Sequence, residues 1–558
     1  GNLKPFGDTA QAVFEGFKGT FPMSSGKWYW EMNAADVNNL MQVGITPTTA
    51  TGVGSSTNLS YHTDAMVYNN VGSKAIGTGG TGTSAGTKTT TSYGNSYTDG
   101  DIIGVALDLD SSTTTLTFYK NNSSEGTAFS SLASDEYVAL FTGIESSFGI
   151  FNFGQDSSFA GTKTAQGNTD SNGQGDFYYT PPSGYLACCT ANLPNPGIDP
   201  AQDEEPADYF NTVLYTGNGA SSRTITGVGF DPDFVWHKNR TSAIGHFLID
   251  SVRGAGNNLG TDSDAAEFGG GSNGAMNSVE TDGASILAGS SSALNVNTNG
   301  YAYVLWNWKV NGGTTTNVSA GSSSNIRLIG GGTADQAAVQ ANTEAGISIV
   351  SFENTARSSS DLLTFPHGLN SAPEMVWVKS RDSANYWAIF HANAGSSTLG
   401  FLGSSLGSNA FISSSFWNAV NSSTVKFASN GNISATNEDI IAYCFHSVDG
   451  YSKMGSYTGN GSSDGAFVYT GFRPAWVLLK RTNATANWSI LDIERDTSNV
   501  MGSELFANLS NSEQSNSSDV DFVSNGFKFR RNYTDNNSSG TYIYLAFAEQ
   551  PFKYSNAR

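Results

Sequence analysis

The chain has 558 residues, 64 of them glycine, and only 13% are charged, about half the ~25% usual for a soluble domain. Its net charge is −21, from 27 basic and 48 acidic residues; without a Lys/Arg cluster, this excludes a phosphate-backbone binder and any nucleic-acid partner. Three cysteines, Cys188, Cys189 and Cys444, make no disulfide framework, and no apolar run is long enough for membrane insertion as a helix.

Short runs of Thr, Val, Tyr, Phe and Trp between Gly/Asn/Ser turns predict an all-β chain. The sequence opens on Gly1 in what reads as the middle of a strand-turn pattern, which predicts residues upstream of it. Residues 1–190 read as one unit. In GKWYWEM (26–32) the side chains alternate, with Trp28, Trp30 and Met32 on one face and Lys27, Tyr29 and Glu31 on the other, as a half-buried strand requires. VGI (43–45) is a second strand, and the Gly/Ser/Thr-rich residues 71–98 read as a long loop or loose hairpin. The turn Asp99-Gly100-Asp101 feeds IIGVALDL (102–109), whose Ile103, Val105, Leu107 and Leu109 share a face; LTFYK (116–120) returns antiparallel and FNFGQ (151–155) closes the series.

That order of segments resembles a SPRY domain over roughly residues 15–155. The resemblance implies a concanavalin-like β-sandwich that binds through loops at one end and catalyses nothing. The family's loops vary freely, so it assigns no ligand-binding residue. The tyrosine-rich stretch 178–185 reads as an extended segment packed on this sandwich. Residues 191–207 hold four prolines and an acidic run, the composition of a stiff linker.

Three related phrases follow: GFDPDFVWHK (229–238), GLNSAPEMVWVK (368–379) and GFRPAWVLLK (471–480). Each runs from a glycine through a proline to a lysine six positions on, at Lys238, Lys379 and Lys480. Each phrase follows a strand-turn (213–219, 347–352, 455–461). A third strand comes next (246–250, 386–391, 487–492), and each set ends on an aromatic strand (301–308, 440–446, 542–548). From the lysine to Trp306, Phe445 and Phe547 is 68, 66 and 67 residues. A fixed spacing across different loops predicts three β-repeats, at 208–311, 346–448 and 449–558. Residues 312–345 read as a Gly/Ser/Thr-rich linker, which would leave the first repeat more independent than the other two. The Pro-to-Lys strands are apolar on both faces, so each must lie under a covering layer; a local salt bridge is the expected role of the lysine.

The histidines (62, 237, 246, 367, 391, 446) have no metal-binding spacing and predict no zinc or other cofactor. The Asp pairs 99/101, 108/110, 231/233 and 262/264 lack a calcium-loop continuation and read as turn carboxylates. The glycine run 269–271 is not followed by a helix or Gly-Lys-Ser. No carboxylate pair stands out as a glycosidase couple, so no catalytic, cofactor or metal residue is assigned and a non-enzyme is expected. Sequons such as Asn58-Leu59-Ser60 are what an Asn/Ser-rich chain produces by chance.

Taken with NWK (307–309), AFAEQPF (546–552) and the closing SNAR (555–558), the repeats resemble virion proteins of marine tailed bacteriophages. This implies a structural protein on the particle surface, among other virion proteins. Within that class the chain would be a tail fibre or adhesin that binds host-surface glycan or protein. The alternatives are a capsid decoration or head fibre with a purely structural role and, less favoured, a glycan-degrading tailspike. Such fibres are often homotrimers, although no heptads predict a coiled-coil stalk here.

Overall fold

The computed structural model describes residues 15–555 apart from 49, 51–61, 79–86, 134–135, 145–146, 273, 288, 291–294, 357, 359–360, 396, 404–406, 431–434 and 516–518. The sequon at 58–60 and the last three residues lie outside the described residues. The described chain is strand and turn, with helix only as three-residue 3-10 turns, and it forms two compact units, Gly1–Pro194 and Asn195–Arg558.

In the N-terminal unit one sheet has the strand order Glu15–Lys18, Tyr137–Gly143, Met41–Pro47, Met66–Asn69, Ser73–Thr78, Thr87–Ser92. The other runs Phe148–Asn152, Lys27–Asp36, Ile102–Asp108, Thr115–Lys120, Ser123–Ser130. The Gly/Ser/Thr-rich stretch is thus a hairpin, Ser73–Thr78 paired antiparallel with Thr87–Ser92. Trp28, Trp30 and Met32 meet Ile103, Val105, Leu107 and Phe118 in the core between the sheets. Alternation alone places Tyr29 and Glu31 at the surface, yet they are 2% and 0% exposed. The tail of the unit covers them: Leu186–Ala187 pairs parallel with Lys27–Asp36, and Phe177 meets the Tyr29 ring edge-on at 5.3 Å.

The C-terminal unit contains three sandwiches with one strand order. In the first, the large sheet runs Phe210–Thr216, Ala302–Trp308, Phe234–Asn239, Phe247–Asp250, covered by Ser222–Thr226, Gly283–Leu287 and Ala275–Glu280. In the second, Ile347–Asn354, Asp439–Phe445, Met375–Ser380 and Trp387–His391 take the corresponding places, under Leu362–Pro366, Thr424–Ala428 and Trp417–Val420. The third has Ser452–Gly459, Gly540–Pro551, Phe472–Arg481 and Trp488–Asp492, under Phe467–Tyr469, Gly526–Phe529 and Val520–Val523. The Pro-to-Lys strand is therefore an interior strand in all three. Its partner register corrects one spacing: Phe234 lies opposite Trp308, as Met375 lies opposite Phe445 and Trp476 opposite Phe547. Trp308, not Trp306, is the counterpart.

One face of each large sheet packs on its own small sheet, as Val235, Ile249 and Ile286 do in the first sandwich. The opposite faces of all three large sheets meet in a single core. There Trp236 lies 5.5 Å from Trp306, 5.9 Å from Trp377 and 6.2 Å from Trp476, measured between ring centroids. Residues 195–207 of the first stretch read as a linker, and the whole of the second, are built into this body. Ile198 is fully buried in the shared core and Gly197 N donates to Asp449 O at 2.9 Å. Thr316–Ser319, Ile326–Arg327 and Gln336–Asn342 extend the second sandwich's large sheet. The first sandwich is accordingly no more independent than the others: a sheet apolar on both faces needs two covers, and the second cover is its neighbours.

This makes a thermodynamic prediction. Residues 195–558 should unfold in one calorimetric transition, and Trp236→Ala should lower its stability by about 3–5 kcal/mol without splitting it. A separate early transition from residues 208–311 would show that the common core does not couple the sandwiches.

Candidate functional site

The three strand lysines are buried and, among the described residues, make no salt bridge. Lys238 Nζ donates to the carbonyls of Ile244 at 2.5 Å and Ser510 at 2.9 Å. Lys379 Nζ donates to those of Ser380 at 2.7 Å and Ser383 at 3.1 Å, and Lys480 Nζ to those of Ala486 and Gly407. Carbonyl oxygens solvate the ammonium where a carboxylate would itself have to be desolvated. Burial lowers the lysine pKa values to about 8, about 8 and about 7 for Lys238, Lys379 and Lys480, with nearby carboxylates such as Asp262, Glu438 and Asp535 opposing it.

Ser510 belongs to the third sandwich and Gly407 to the second, so two of these lysines hold a loop of a neighbour. The loop after the third strand does this in every sandwich. Glu267 N of the first donates to Arg381 O of the second at 2.7 Å, Phe411 N of the second to Thr482 O of the third at 2.8 Å, and Glu513 N of the third to Arg240 O of the first at 2.9 Å. A ring side chain at the start of each third strand answers. Trp387 Nε1 donates to Gly260 O at 2.9 Å and Trp488 Nε1 to Phe401 O at 2.9 Å. Trp236 Nε1–H occupies His246 Nδ1 at 2.9 Å, which leaves His246 Nε2–H to donate to Phe506 O at 3.0 Å. First grips second, second grips third, third grips first. These long loops, where recognition is the obvious expectation, are committed to this closed ring.

The remaining candidates are structural. His237 Nε2 pairs with Tyr215 OH at 2.9 Å and burial lowers its pKa to about 3. His391 accepts from Asn393 N and donates through Nε2 to Tyr544 O. His62, His367 and His446 bond to the carbonyls of Thr63, Asn421 and Ser447. Of the aspartates, Asp99 accepts from Val37 N, Asp108 from Ser111 N, Asp233 from Val310 N and Asp262 from His246 N. Among the described residues no cluster of three His, Cys, Asp or Glu is arranged to hold a metal ion. A cleft of about 410 Å³ lies between the 200–205 segment and the last strand. Its polar groups already pair with one another: Arg473 with Glu549 at 3.0 Å and Gln550 Nε2 with Glu205 at 2.9 Å. Tyr554 OH, also on the cleft, donates to Asp199 at 2.6 Å. It closes the body at that point.

Residues 205–551, the whole ring, match the family model described as a domain of unknown function, DUF7483. The chain belongs to this family. Residues 27–156 match the SPRY domain model, in agreement with the two-sheet sandwich found there. Among solved structures, a human SPRY domain is 16% identical and aligns over 25% of this chain and 84% of its own, with a TM-score of 0.19. The SPRY domain of human HERC1 is 21% identical over 25% and 80%, with a TM-score of 0.19. No curated protein matches.

In the SPRY unit the most unusual group is Glu31. Its carboxylate accepts from Tyr178 N at 2.9 Å, Tyr179 N at 2.8 Å, Asn152 Nδ2 at 3.2 Å and Tyr29 OH at 3.3 Å. Burial raises its pKa to about 7 against these four bonds. The carboxylate pins the 177–179 segment over the sheet, and Phe177, Tyr178, Tyr179 and Tyr185 pack on the apolar side chains there, as the tyrosine-rich stretch predicts. Chemistry of this kind is invisible in the alternation pattern, where Glu31 is a surface residue.

Two measurements follow from the titrations. Lys480 releases its proton near pH 7 when folded and near the ordinary 10.5 when unfolded. Between those values the unfolded chain binds more protons, so folding becomes more favourable as pH rises. From pH 7 to 8.5 the wild-type body should gain up to about 1 kcal/mol per pH unit in urea stability relative to Lys480→Met; a flat or falling difference would contradict a buried ammonium. Glu31 has the opposite sign. It holds its proton to about pH 7 when folded and to 4.5 when unfolded, so the SPRY unit loses stability as pH rises from 4.5 to 7. Glu31→Gln should abolish that slope in thermal melts and cost about 1–3 kcal/mol through the mismatched amide donors.

Proposed function

We propose that this protein is a non-enzymatic structural protein of a tailed-bacteriophage virion, a tail fibre or adhesin at the particle surface whose SPRY domain meets the host. The carrying observation is the division of labour within the chain. The C-terminal ring spends its variable loops on closing itself, while the SPRY domain is a separate compact unit of a loop-presenting type. A scaffold whose recognition elements sit on loops outside its rigid frame is a common arrangement for binding. The three sandwiches are read as copies of one ancestral unit, on the strength of their common strand order and the cyclic bonds between them. Fused in one chain, they supply the threefold closure that separate subunits provide in a homotrimer, so a trimer is not required.

The surface favours a polar epitope. Among the described residues Phe17 is the one aromatic side chain more than a third exposed, at 40%, so the chain offers little of the stacking platform on which sugar rings sit. A host protein, or a glycan held by hydrogen bonds at loop tips, fits better. The recombinant protein should bind whole host cells and a purified envelope component; absence of binding to any host envelope fraction would defeat the adhesin reading. The ring's use of its own loops also favours the second reading, a decoration protein that only builds the particle. Copy number separates the two, a few per virion for a tail position and hundreds for decoration. Incubation with host polysaccharide should release no oligosaccharide.

A further inference from the structure

The three seams of the ring use one set of backbone bonds but not one set of side chains. At the seam between the first and second sandwiches, Glu267 is both the clamp's backbone donor and an ion-pair partner. Arg381 Nε and Nη2 donate to its two oxygens at 2.9 Å each, and the buried Arg253 adds Nη1 at 3.1 Å. The seam between the third and first repeats this in full. Arg240 donates to Glu513 at 3.0 and 2.8 Å and Arg495 adds a bond at 2.8 Å. Behind each, Arg253 and Arg495 are anchored by Asp250 and Asp492 at 2.5 Å. The two aspartates accept from the neighbour's closing strand, through Tyr443 OH at 2.7 Å and Trp306 Nε1 at 3.0 Å.

The corresponding positions at the seam between the second and third sandwiches are all uncharged. Phe411 stands where Glu267 and Glu513 stand, by its backbone bond to Thr482, which in turn replaces Arg381 and Arg240. His391 occupies the place of the two aspartates and reaches the third sandwich through one bond of 3.2 Å, to Tyr544 O. Ala394 replaces the arginines. Among the described residues no ion pair joins these two sandwiches; besides the shared core, the Phe411 clamp bond, the His391 bond and the Lys480 bond to Gly407 O, the seam holds Ala486 N to Ser408 O at 2.9 Å, the Trp488 bond to Phe401 O, and Phe411 against the Trp488 ring at 6.3 Å. Bidentate Arg–carboxylate bonds shared by two arginines are the strong members of the hydrogen-bond range, so their loss at one seam of three is a large asymmetry. This seam is also spanned by a short tether, with Val448 and Ser452 bonded to each other, so the two sandwiches stay connected when it loosens.

We propose that the ring has one built-in opening line: the clamp contacts of Phe401, Ser408 and Phe411 lift from the third sandwich while the other two clamps stay closed. Opening there uncovers the Trp488 indole and the Lys480 ammonium and breaks no ion pair. The test is hydrogen exchange on the intact chain. The amides of Phe411 and Ala486 should exchange more than about tenfold faster than those of Glu267 and Glu513, the mark of a lower local opening energy. Raising the salt to about 1 M should speed Glu267 and Glu513 and leave Phe411 unchanged, since only the first two are held by charge. The double variant Phe411→Glu with Thr482→Arg should slow exchange at position 411 to the level of the other clamps. Should that variant fail to fold, Glu267→Gln supplies the converse, bringing the amide at position 267 up to the rate of Phe411. Equal protection at the three clamps, or first release at Glu267 or Glu513, would overturn the proposal.

Discussion

Everything in the C-terminal body depends on burying the second apolar face of three interior strands. Val235, Val376 and Val477 are covered by each sandwich's own small sheet. Trp236, Trp377 and Trp476, on the other face, have no cover within their own sandwich and find it only in the common core. Large aromatic side chains bury 150–250 Å² each, and leaving them in water would remove most of the driving force for any one sandwich. The clamps, the buried lysines and the incorporation of residues 195–208 all serve that meeting of three faces. A cytosolic or extracellular disulfide is not needed to hold it: Cys444 is buried and unpaired.

Much of this was legible in the sequence. Alternation in the strands around Trp28, Ile103 and Trp377 places the right side chains in the cores, and the Gly–Pro–Lys phrase marks the interior strand of each large sheet. The double-sided apolar pattern also implies a second cover. Its source was not legible, because the partners lie far away along the chain: Lys238 meets Ser510, Trp306 meets Asp492, Trp387 meets Gly260. Nor could the clamps be read. They work through backbone N–H and C=O groups, which leave no side-chain signature, so Glu267, Phe411 and Glu513 look unrelated. The two linker-like stretches are ordered for a related reason. Composition registers the prolines and glycines of 191–207 and 312–345, while the structure turns on a few apolar residues among them, Ile198, Ile326 and Val339.

The candidate site was less legible than the fold. Glu31 and the three lysines are charged residues in strands, and a sequence shows their charge but not the covering layer that buries it. Glu31 is enclosed by a segment nearly 150 positions later in the chain, and each lysine ends among carbonyls supplied by loops of variable sequence. Charge in this protein is scarce, at 13% of residues, and Ser, Thr, Asn and Gly are abundant in its place. A surface of that kind binds through hydrogen bonds and shape, under a net charge of −21 that disfavours anionic ligands.

The bonds from Tyr554 to Asp199 and from Gln550 to Glu205 place the two ends of the C-terminal body side by side. A closed body whose entry and exit coincide is topologically portable. It can be carried within a longer polypeptide with only a small gap to bridge, and it can be cut open at a different loop and rejoined between the 199–205 and 550–554 segments with its interior undisturbed. The order first, second, third is then one of three equivalent ways to thread the same ring, and covariation between residues should run around the circle, from each clamp to the neighbour it holds, whichever sandwich the chain happens to build first.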